Sequence, residues 1–252
     1  MHFYLPKPMH GWREFLGEVS IIVMGVLIAL GAEQVVEDWH WGARAKEART
    51  ALKREAADHY KYAVEWRMSA PCIEAQLSQI EQRLDSSGST LRPAPLLSDP
   101  GGGIGRKGFV IRTPDRPYSL SVWQGTVSDG TSAHFEADER AEFDFYTRQV
   151  ADVHELNSVI RRETGNLLVM KKPLALDPQI RMDLQRSIDQ VRQDSDEMNL
   201  VAGQIVRSIV DLKMVPSGSF MTKFISQSGT IAFCRAQSLP ILSLQDASAP
   251  GR

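Results

Sequence analysis

The sequence is poor in cysteine, with only Cys72 and Cys234 among its 252 residues. Two cysteines exclude a disulfide-dense scaffold, and they allow a single bridge if the compartment is oxidising. Neither cysteine belongs to a CxxC pair or lies near a pair of histidines, so their spacing predicts no zinc site. Both stand among apolar or small neighbours, which leaves two states open: a Cys72–Cys234 disulfide or two buried reduced thiols.

The sequence also has no excess of positive charge. Its formal net charge is -2, and no basic patch with interleaved aromatic residues occurs. We therefore predict no nucleic-acid partner. Charged residues make up 24% and hydrophobic residues 42%, as in ordinary globular proteins, so the chain can bury a sizeable core in one or two domains.

Motifs for catalysis or ligand binding are missing as well. The stretch GGGIGRKG at 101–108 departs from a phosphate-binding loop, because Gly108 follows the lysine where Ser or Thr is required. His134, Glu136 and Asp138 stand just before a predicted helix, where acidic residues are expected from the helix dipole alone. The sequence therefore predicts no catalytic residue, no cofactor and no metal ligand.

The most apolar stretch of the chain is GEVSIIVMGVLIALGAEQ, at residues 17–34. Its uncharged part, from Val19 to Ala32, would form a helix of ~21 Å, which is short of a hydrocarbon core of ~30 Å. The wider segment 15–36 reaches ~33 Å as a helix. We predict that 15–36 is a transmembrane helix and that residues 1–14 are a short N-terminal tail.

Charged and aromatic residues mark both ends of this segment. Glu18 and Glu33 lie near its boundaries, where a charge costs much less than the ~2.5–3.5 kcal/mol expected at the bilayer centre. Trp12 precedes the segment, and Trp39 and Trp41 follow it, as tryptophans do at membrane interfaces. We interpret these five residues as membrane-boundary residues and the lipid bilayer as a partner of the chain.

Two other interpretations of the segment stay open. A cleaved signal peptide would fit Lys7 and Arg13 in front of a short apolar core, with cleavage after Ala29–Gly31. Against it, Glu14 and Glu18 dilute the positive charge, and a helical pattern continues beyond the segment. The third interpretation is a buried helix of a soluble protein.

Lysines and arginines around the segment do not decide its orientation. Arg44, Lys46 and Arg49 follow it and slightly favour a cytoplasmic C-terminal domain under the positive-inside rule. The N-terminal flank is very short, however, and such tails commonly stay inside, while a disulfide would require the oxidising side. We predict a cytoplasmic tail and an extracytoplasmic domain.

Apolar residues recur at helical spacing in three later stretches, which predicts three long helices. The stretches cover residues 45–84, about 137–170 and 178–213. Strict repeats of seven favour antiparallel helix packing or a coiled coil. Pro71 lies inside the first stretch and predicts a kink or a break there.

The remaining stretches complete an all-α prediction. Glycine, proline and serine dominate residues 86–117, which predicts a long loop. A short helix is expected within 118–130, a short strand at TIAFC (230–234) and a disordered tail from about 244 to 252. Residues 37–252 are therefore predicted to form one helical-bundle domain of about four helices.

The segment GWREFLGEVSIIVMGVLIALGAEQVVEDWHW resembles the N-terminus of a family of bacterial proteins that carry a domain of unknown function. These proteins open with a GE-x-x-IIV-x-GVLIAL-type membrane segment, matched here by Gly17, Glu18, Ile21 to Val23 and Gly25 to Leu30. The resemblance implies a single-pass protein of the inner membrane of a Gram-negative-type bacterium, with a periplasmic domain if the predicted orientation holds. It implies no activity and no site residues.

Taken together, these patterns predict a membrane-anchored helical bundle that serves as an interaction or sensor-like module. A second copy of the chain or another protein is its expected partner. Two alternatives remain: a soluble bundle secreted after signal cleavage, and a membrane-tethered hydrolase that uses the 86–117 loop over a pocket in the bundle.

Overall fold

The computed structural model describes residues 11–93 and 110–250, and these residues are mostly helical. The α-helices are, in chain order, α1 (Trp12–Ser86), α2 (Ser121–Ser128), α3 (Ala137–Asn166), α4 (Pro178–Asp211), α5 (Gly218–Ser226), α6 (Gly229–Ala236) and α7 (Leu244–Ser248). Two 3-10 helices flank α3, at Thr131–His134 and Leu167–Lys171. The predicted all-α class is confirmed for the described residues.

Two short strands are the only β-structure in the described part of the chain. Strand β1 (Thr90–Leu91) pairs antiparallel with β2 (Leu174–Ala175), with Thr90 opposite Ala175. The pair connects the end of α1 with the turn that precedes α4.

Three long helices form the bundle, and α4 is the central one because it packs along both α1 and α3. Arg181, at the start of α4, donates to the backbone oxygen of Leu84 near the end of α1. Further along α4, Arg192 pairs with Glu74, so α4 runs antiparallel to α1. A predicted helical bundle is thereby confirmed.

The residues predicted to form the apolar stripes supply the core. On α4 the side chains that repeat every seven residues are buried, namely Leu184, Val191, Met198, Ile205, Ile188, Ser195, Ala202 and Ile209. On α1 the buried set is Ala45, Leu52, His59, Trp66, Ile73, Ile80, Ala56, Ala63, Leu77 and Leu84. Asp177 caps α4 as predicted, since its carboxylate accepts a bond of 2.8 Å from the Ile180 amide.

Of the two outcomes predicted at Pro71, a kink or a break, the break does not occur, because α1 is continuous from Trp12 to Ser86 with Pro71 inside it. Proline removes one amide donor from the helical ladder. The next carbonyl along the helix, Met68 O, accepts a bond of 3.0 Å from the Leu242 amide near the C-terminus. Helix α1 therefore accommodates the proline without ending, and its buried neighbours Met68 and Cys72 belong to the packed part of the helix.

Two predictions near the C-terminus were also wrong. The TIAFC stretch forms part of helix α6, because the Ser228 hydroxyl caps it by accepting from the Ile231 amide at 3.1 Å. The expected disordered tail from 244 contains helix α7, in which Ala247 is buried. Arg67 of α1 holds this helix by donating to Ala247 O at 2.7 Å.

Parts of three predictions lie outside the described residues. These are the N-terminal tail up to residue 10, the portion of the predicted loop from 94 to 109, and residues 251–252. The glycine-rich stretch 101–108 belongs to the second of these. The following residues, 110–120, have no regular secondary structure and are called the 110–120 segment below.

Candidate functional site

The two halves of α1 differ in their surroundings. Side chains described from residue 15 to 40 are all exposed, and the first buried one is Ala45. The apolar window of the helix has a mean hydropathy of 2.2, and none of it is buried within the molecule. By length and composition, α1 is therefore the one helix of the described chain that could cross a membrane.

Of the five predicted boundary residues, Trp12 and Trp39 have the spacing expected across a bilayer. Trp12 and Trp39 are 74% and 77% exposed. At 1.5 Å per residue they are ~40 Å apart, close to a bilayer thickness of ~40–45 Å including headgroups. Glu18 and Glu33 are only ~22 Å apart by the same rule, so each would lie slightly inside a ~30 Å hydrocarbon core.

Trp41 lies where the exposed half of α1 meets the bundle. Its ring stacks on the His134 imidazole with centroids 4.3 Å apart, and the Arg44 guanidinium lies 5.2 Å from the ring centroid. Trp41 also donates to Glu37 at 3.4 Å. The bundle therefore contacts α1 directly at this point, with no linker between them.

The stacking contact with Trp41 also shows what surrounds His134, the histidine that precedes α3. His134 stacks on Trp41, while Glu136 is the backbone cap of α3 and Asp138 lies in the first turn of that helix. Within the described ranges, no group of three or more His, Cys, Asp or Glu residues is arranged to hold a metal ion.

Buried polar side chains of α1 hold the 110–120 segment against the bundle. Gln76 donates to Arg112 O at 3.1 Å and accepts from the Arg112 amide at 2.7 Å, as a neighbouring β-strand would. The fully buried Glu65 carboxylate binds the Arg116 guanidinium through two bonds, of 2.6 and 2.7 Å. Such bidentate pairs fix orientation as well as charge.

The Glu65–Arg116 pair lies in a polar and aromatic cluster. The hydroxyl of Ser228 donates to Glu65, and the Arg116 guanidinium lies 5.2 Å from the Phe224 ring centroid. The hydrogen bond to Glu65 raises the pKa of Arg116 despite the opposing effect of burial. Burial raises the pKa of the nearby Tyr118 phenol. The cluster therefore links α1, α5, α6 and the 110–120 segment through one buried charge pair.

His59 makes a third buried contact to this segment. Its Nε2 accepts from the Ser119 amide at 3.2 Å, and its Nδ1 is hydrogen-bonded to the Tyr146 hydroxyl of α3. Because Nε2 accepts, the proton of the neutral ring is on Nδ1. Burial lowers the pKa of His59 to about 4, although the charge of Asp58 opposes the shift.

Cys72 and Cys234, the two cysteines of the chain, are joined in the structure as a disulfide with Cα atoms 6.0 Å apart. The bridge connects α6 to the buried half of α1 across 162 residues of sequence. Closing a loop of that length stabilises the folded state by ~4–5 kcal/mol in the chain-entropy account. The C-terminal helices are therefore tied covalently to the helix that carries the apolar segment.

Sequence patterns did not identify the buried polar contacts. Glu65 and Gln76 look like ordinary polar positions of an amphipathic helix, and their partners lie 51 and 36 residues away in an irregular segment. His59 did carry a signal, because it interrupts an apolar row of α1. A polar residue within an apolar row indicates a buried hydrogen bond, but it does not identify the partner.

The fold and these contacts define an all-α protein in which one long apolar helix continues into a disulfide-bonded bundle. No family model, curated protein or solved structure matches the chain. The resemblance of its first 50 or so residues to a bacterial membrane-protein family therefore stays an expectation.

Proposed function

We propose that this protein is a single-pass membrane anchor for a helical bundle that acts as an interaction or sensor-like module at the membrane surface. The observation that carries the proposal is the continuity of α1, which is exposed and apolar in its first half and forms the bundle core in its second. A rearrangement of the bundle would therefore move the apolar half directly, because no flexible linker separates the two.

The exposed half has the hydrophobic surface that a bilayer would cover. Large apolar side chains between 50% and 75% exposed follow one another there, namely Ile21, Ile22, Val23, Met24, Val26, Leu27, Ile28 and Leu30. Burying each contributes ~1.5–3 kcal/mol, so eight together would gain on the order of 15 kcal/mol in lipid. Soluble monomers rarely expose a continuous apolar surface of this kind.

The disulfide supports an oxidising location for the bundle. Structural disulfides persist in the periplasm and outside cells, and are rare in the cytosol. The proposal therefore places the residues before the apolar segment in the cytoplasm of a bacterium and the bundle on the periplasmic side of its inner membrane. A partner protein or a second copy would bind the bundle there.

The test is expression of the full chain in a Gram-negative host with a reporter enzyme at the C-terminus. We expect the protein to resist alkaline extraction from membranes, to keep its full mass, and to activate a reporter that works only in the periplasm. Mass spectrometry without reduction should find Cys72 linked to Cys234. A shorter chain beginning near residue 32 would instead support signal cleavage and secretion.

A matched pair of variants makes the test specific. Met24→Lys with Leu27→Lys places two charges in the apolar window, at ~2.5–3.5 kcal/mol each near a bilayer centre, and should weaken membrane insertion markedly. Met182→Lys with Leu200→Lys changes two residues of α4 that are equally exposed, at 54% and 60%, and should leave insertion intact. Equal behaviour of the two double variants would contradict the anchor.

A further inference from the structure

A cleft far along the bundle from the apolar half of α1 has the features of a ligand site. Three separate elements form its walls: the 110–120 segment, the later part of α3, and the turn between α5 and α6. Its volume is about 510 Å³, within the ~300–1,000 Å³ range of small-molecule sites. The cleft is therefore large enough for a metabolite-sized molecule.

Positive charge predominates in the cleft. The guanidinium groups of Arg112, Arg116 and Arg161 line it, and Asp115 is the one carboxylate among its described lining residues. Glu65 lies behind Arg116 and balances that charge from the buried side. Among the described side chains that line the cleft, arginines therefore outnumber carboxylates, and they lie beside Asn157 and Thr164, which can form hydrogen bonds.

Two of these arginines are held in place from behind the cleft wall. Arg116 is fixed by its bidentate pair with the buried Glu65. Arg112 has its backbone clamped by Gln76, and its side-chain Nε donates to the Thr230 hydroxyl at 3.4 Å. Groups that are already ordered lose little conformational entropy when a ligand binds.

Arg161 is different, because its partner is at the surface. It donates to Asp115 at 2.7 Å, but the two side chains are 67% and 60% exposed. Exposed ion pairs of this kind contribute little to stability, because water screens both charges. An incoming anion can therefore replace Asp115 as the partner of Arg161 at little cost.

The start of α6 adds donors to the same cleft. Gly229 and Thr230, the first two residues of α6, line it. The first amides of a helix have no acceptor within the helix, and they favour negative charge. The Ser228 cap accepts from the Ile231 amide, so it does not occupy the amides of these two residues.

From these contacts we infer that the cleft between the 110–120 segment, α3 and the start of α6 binds a small polar molecule through an oxyanion group, a carboxylate or a phosphate. Arg161 and the first amides of α6 bind the oxyanion, and Arg112 and Arg116 line the wall beside them. The inference names the ligand class of the sensor-like module and rests on that proposed function only for its biological role.

The experiment uses the full chain in detergent and two probes, citrate and inorganic phosphate, titrated by calorimetry at constant ionic strength against chloride. We expect saturable binding of one probe with a dissociation constant of about 1 mM or tighter, and no saturable effect of chloride. Stronger binding of citrate would identify a carboxylate ligand, and stronger binding of phosphate would identify a phosphorylated one.

Arg161→Gln and Arg162→Gln form the matched pair for this site. Both remove one charge from neighbouring positions of α3 with 67% and 66% exposed side chains, but only Arg161 lines the cleft. Arg161→Gln should weaken binding about tenfold, and Arg162→Gln less than about twofold. Asp115→Asn should tighten binding, because it removes the carboxylate that competes for Arg161.

Three results would overturn the inference: no saturable binding of either probe up to about 20 mM, a concentration far above useful affinities; equal weakening by both arginine variants; or weaker binding in Asp115→Asn. Binding in detergent does not depend on membrane insertion. The anion site and the membrane anchor can therefore fail independently of each other.

Discussion

The exposed and the buried half of α1 are both rich in apolar residues, but only the apolar residues of the second half are covered by other helices. In the second half the apolar positions form stripes that α4 and the shorter helices cover, so Leu77 is 0% exposed. In the first half the apolar residues surround the helix, and Leu27 is 59% exposed. A stripe indicates protein packing, whereas an apolar surface all round indicates a different solvent.

The carboxylates of the two halves of α1 also differ in their surroundings. Glu65 is buried, with Arg116 and Ser228 as partners supplied by the bundle. Glu18 and Glu33 occur near the ends of the apolar segment, slightly inside the hydrocarbon core, where a charge costs much less than at the bilayer centre because the headgroups are close. The position of each carboxylate along α1 thus follows from which neighbour can satisfy its charge.

The largest effect on bundle stability is expected when the same leucine-to-alanine substitution is made in each half of α1. Leu77→Ala removes a fully buried side chain and should lower the free energy of unfolding of the bundle by ~2–5 kcal/mol. Leu27→Ala should change that free energy by less than about 0.5 kcal/mol, because Leu27 contacts no core. Urea unfolding of the full chain in detergent, followed by near-ultraviolet circular dichroism, measures both.

Membrane extraction of the same two variants provides the control. Neither should release the protein from the bilayer, since one methylene-rich side chain is a small part of the apolar segment. If Leu27→Ala destabilised the bundle as much as Leu77→Ala, the first half of α1 would have to pack against protein, and the contrast between the halves would be lost.

A smaller effect should appear in the pH dependence of the buried half. The pKa of His59 falls from 6.5 to about 4 on folding, so the folded state binds fewer protons than the unfolded state in this range. The stability that the bundle has with a neutral His59 is fully present above pH 6.5, and it is lost as the pH falls towards 4. Between pH 6.5 and 4, we expect His59 alone to lower the free energy of unfolding of the wild-type bundle by ~3 kcal/mol.

Two substitutions isolate the contribution of His59. His59→Gln should flatten the pH dependence between 6.5 and 4, the window set by the two pKa values of that histidine. His154→Gln, which replaces an exposed histidine of α3 by the same residue, is the control for the loss of one histidine. Denaturation midpoints measured across this window decide the matter, and parallel profiles for wild type and His59→Gln would contradict the neutral, buried state of His59.

Much of the bundle follows from local sequence patterns. Repeats of seven identified the buried faces of α1 and α4, and Asp177 marked the start of α4, because helical periodicity and capping depend on residues close in sequence. The local preference of Pro71 for a break did not decide the outcome, because the residues on both sides of it, including Met68 and Cys72, are buried against distant parts of the chain.

Local sequence patterns could not predict the candidate ligand site. Arg112 and Arg116 lie beside Arg161 and Gly229 because contacts with α1 hold the 110–120 segment in place. None of these residues is adjacent in sequence to the residues of another wall, and no motif signals their approach. Glycine and proline predicted a loop over residues 86–117, and the described residues 110–117 of that range have no regular secondary structure. Such chain has no periodicity from which to predict its contacts.

The smallest predicted effect concerns the point where the halves of α1 meet. Trp41 stacks on His134 and lies beside Arg44, so Trp41→Ala should destabilise the bundle by ~1 kcal/mol. Trp39→Ala, two residues earlier and 77% exposed, is the control and should leave bundle stability unchanged. Hydrogen exchange of the 3-10 helix Thr131–His134 should quicken in Trp41→Ala alone. Unchanged exchange there would mean that the bundle does not depend on Trp41, and that the two halves of α1 are joined by the backbone of the helix without support from side chains.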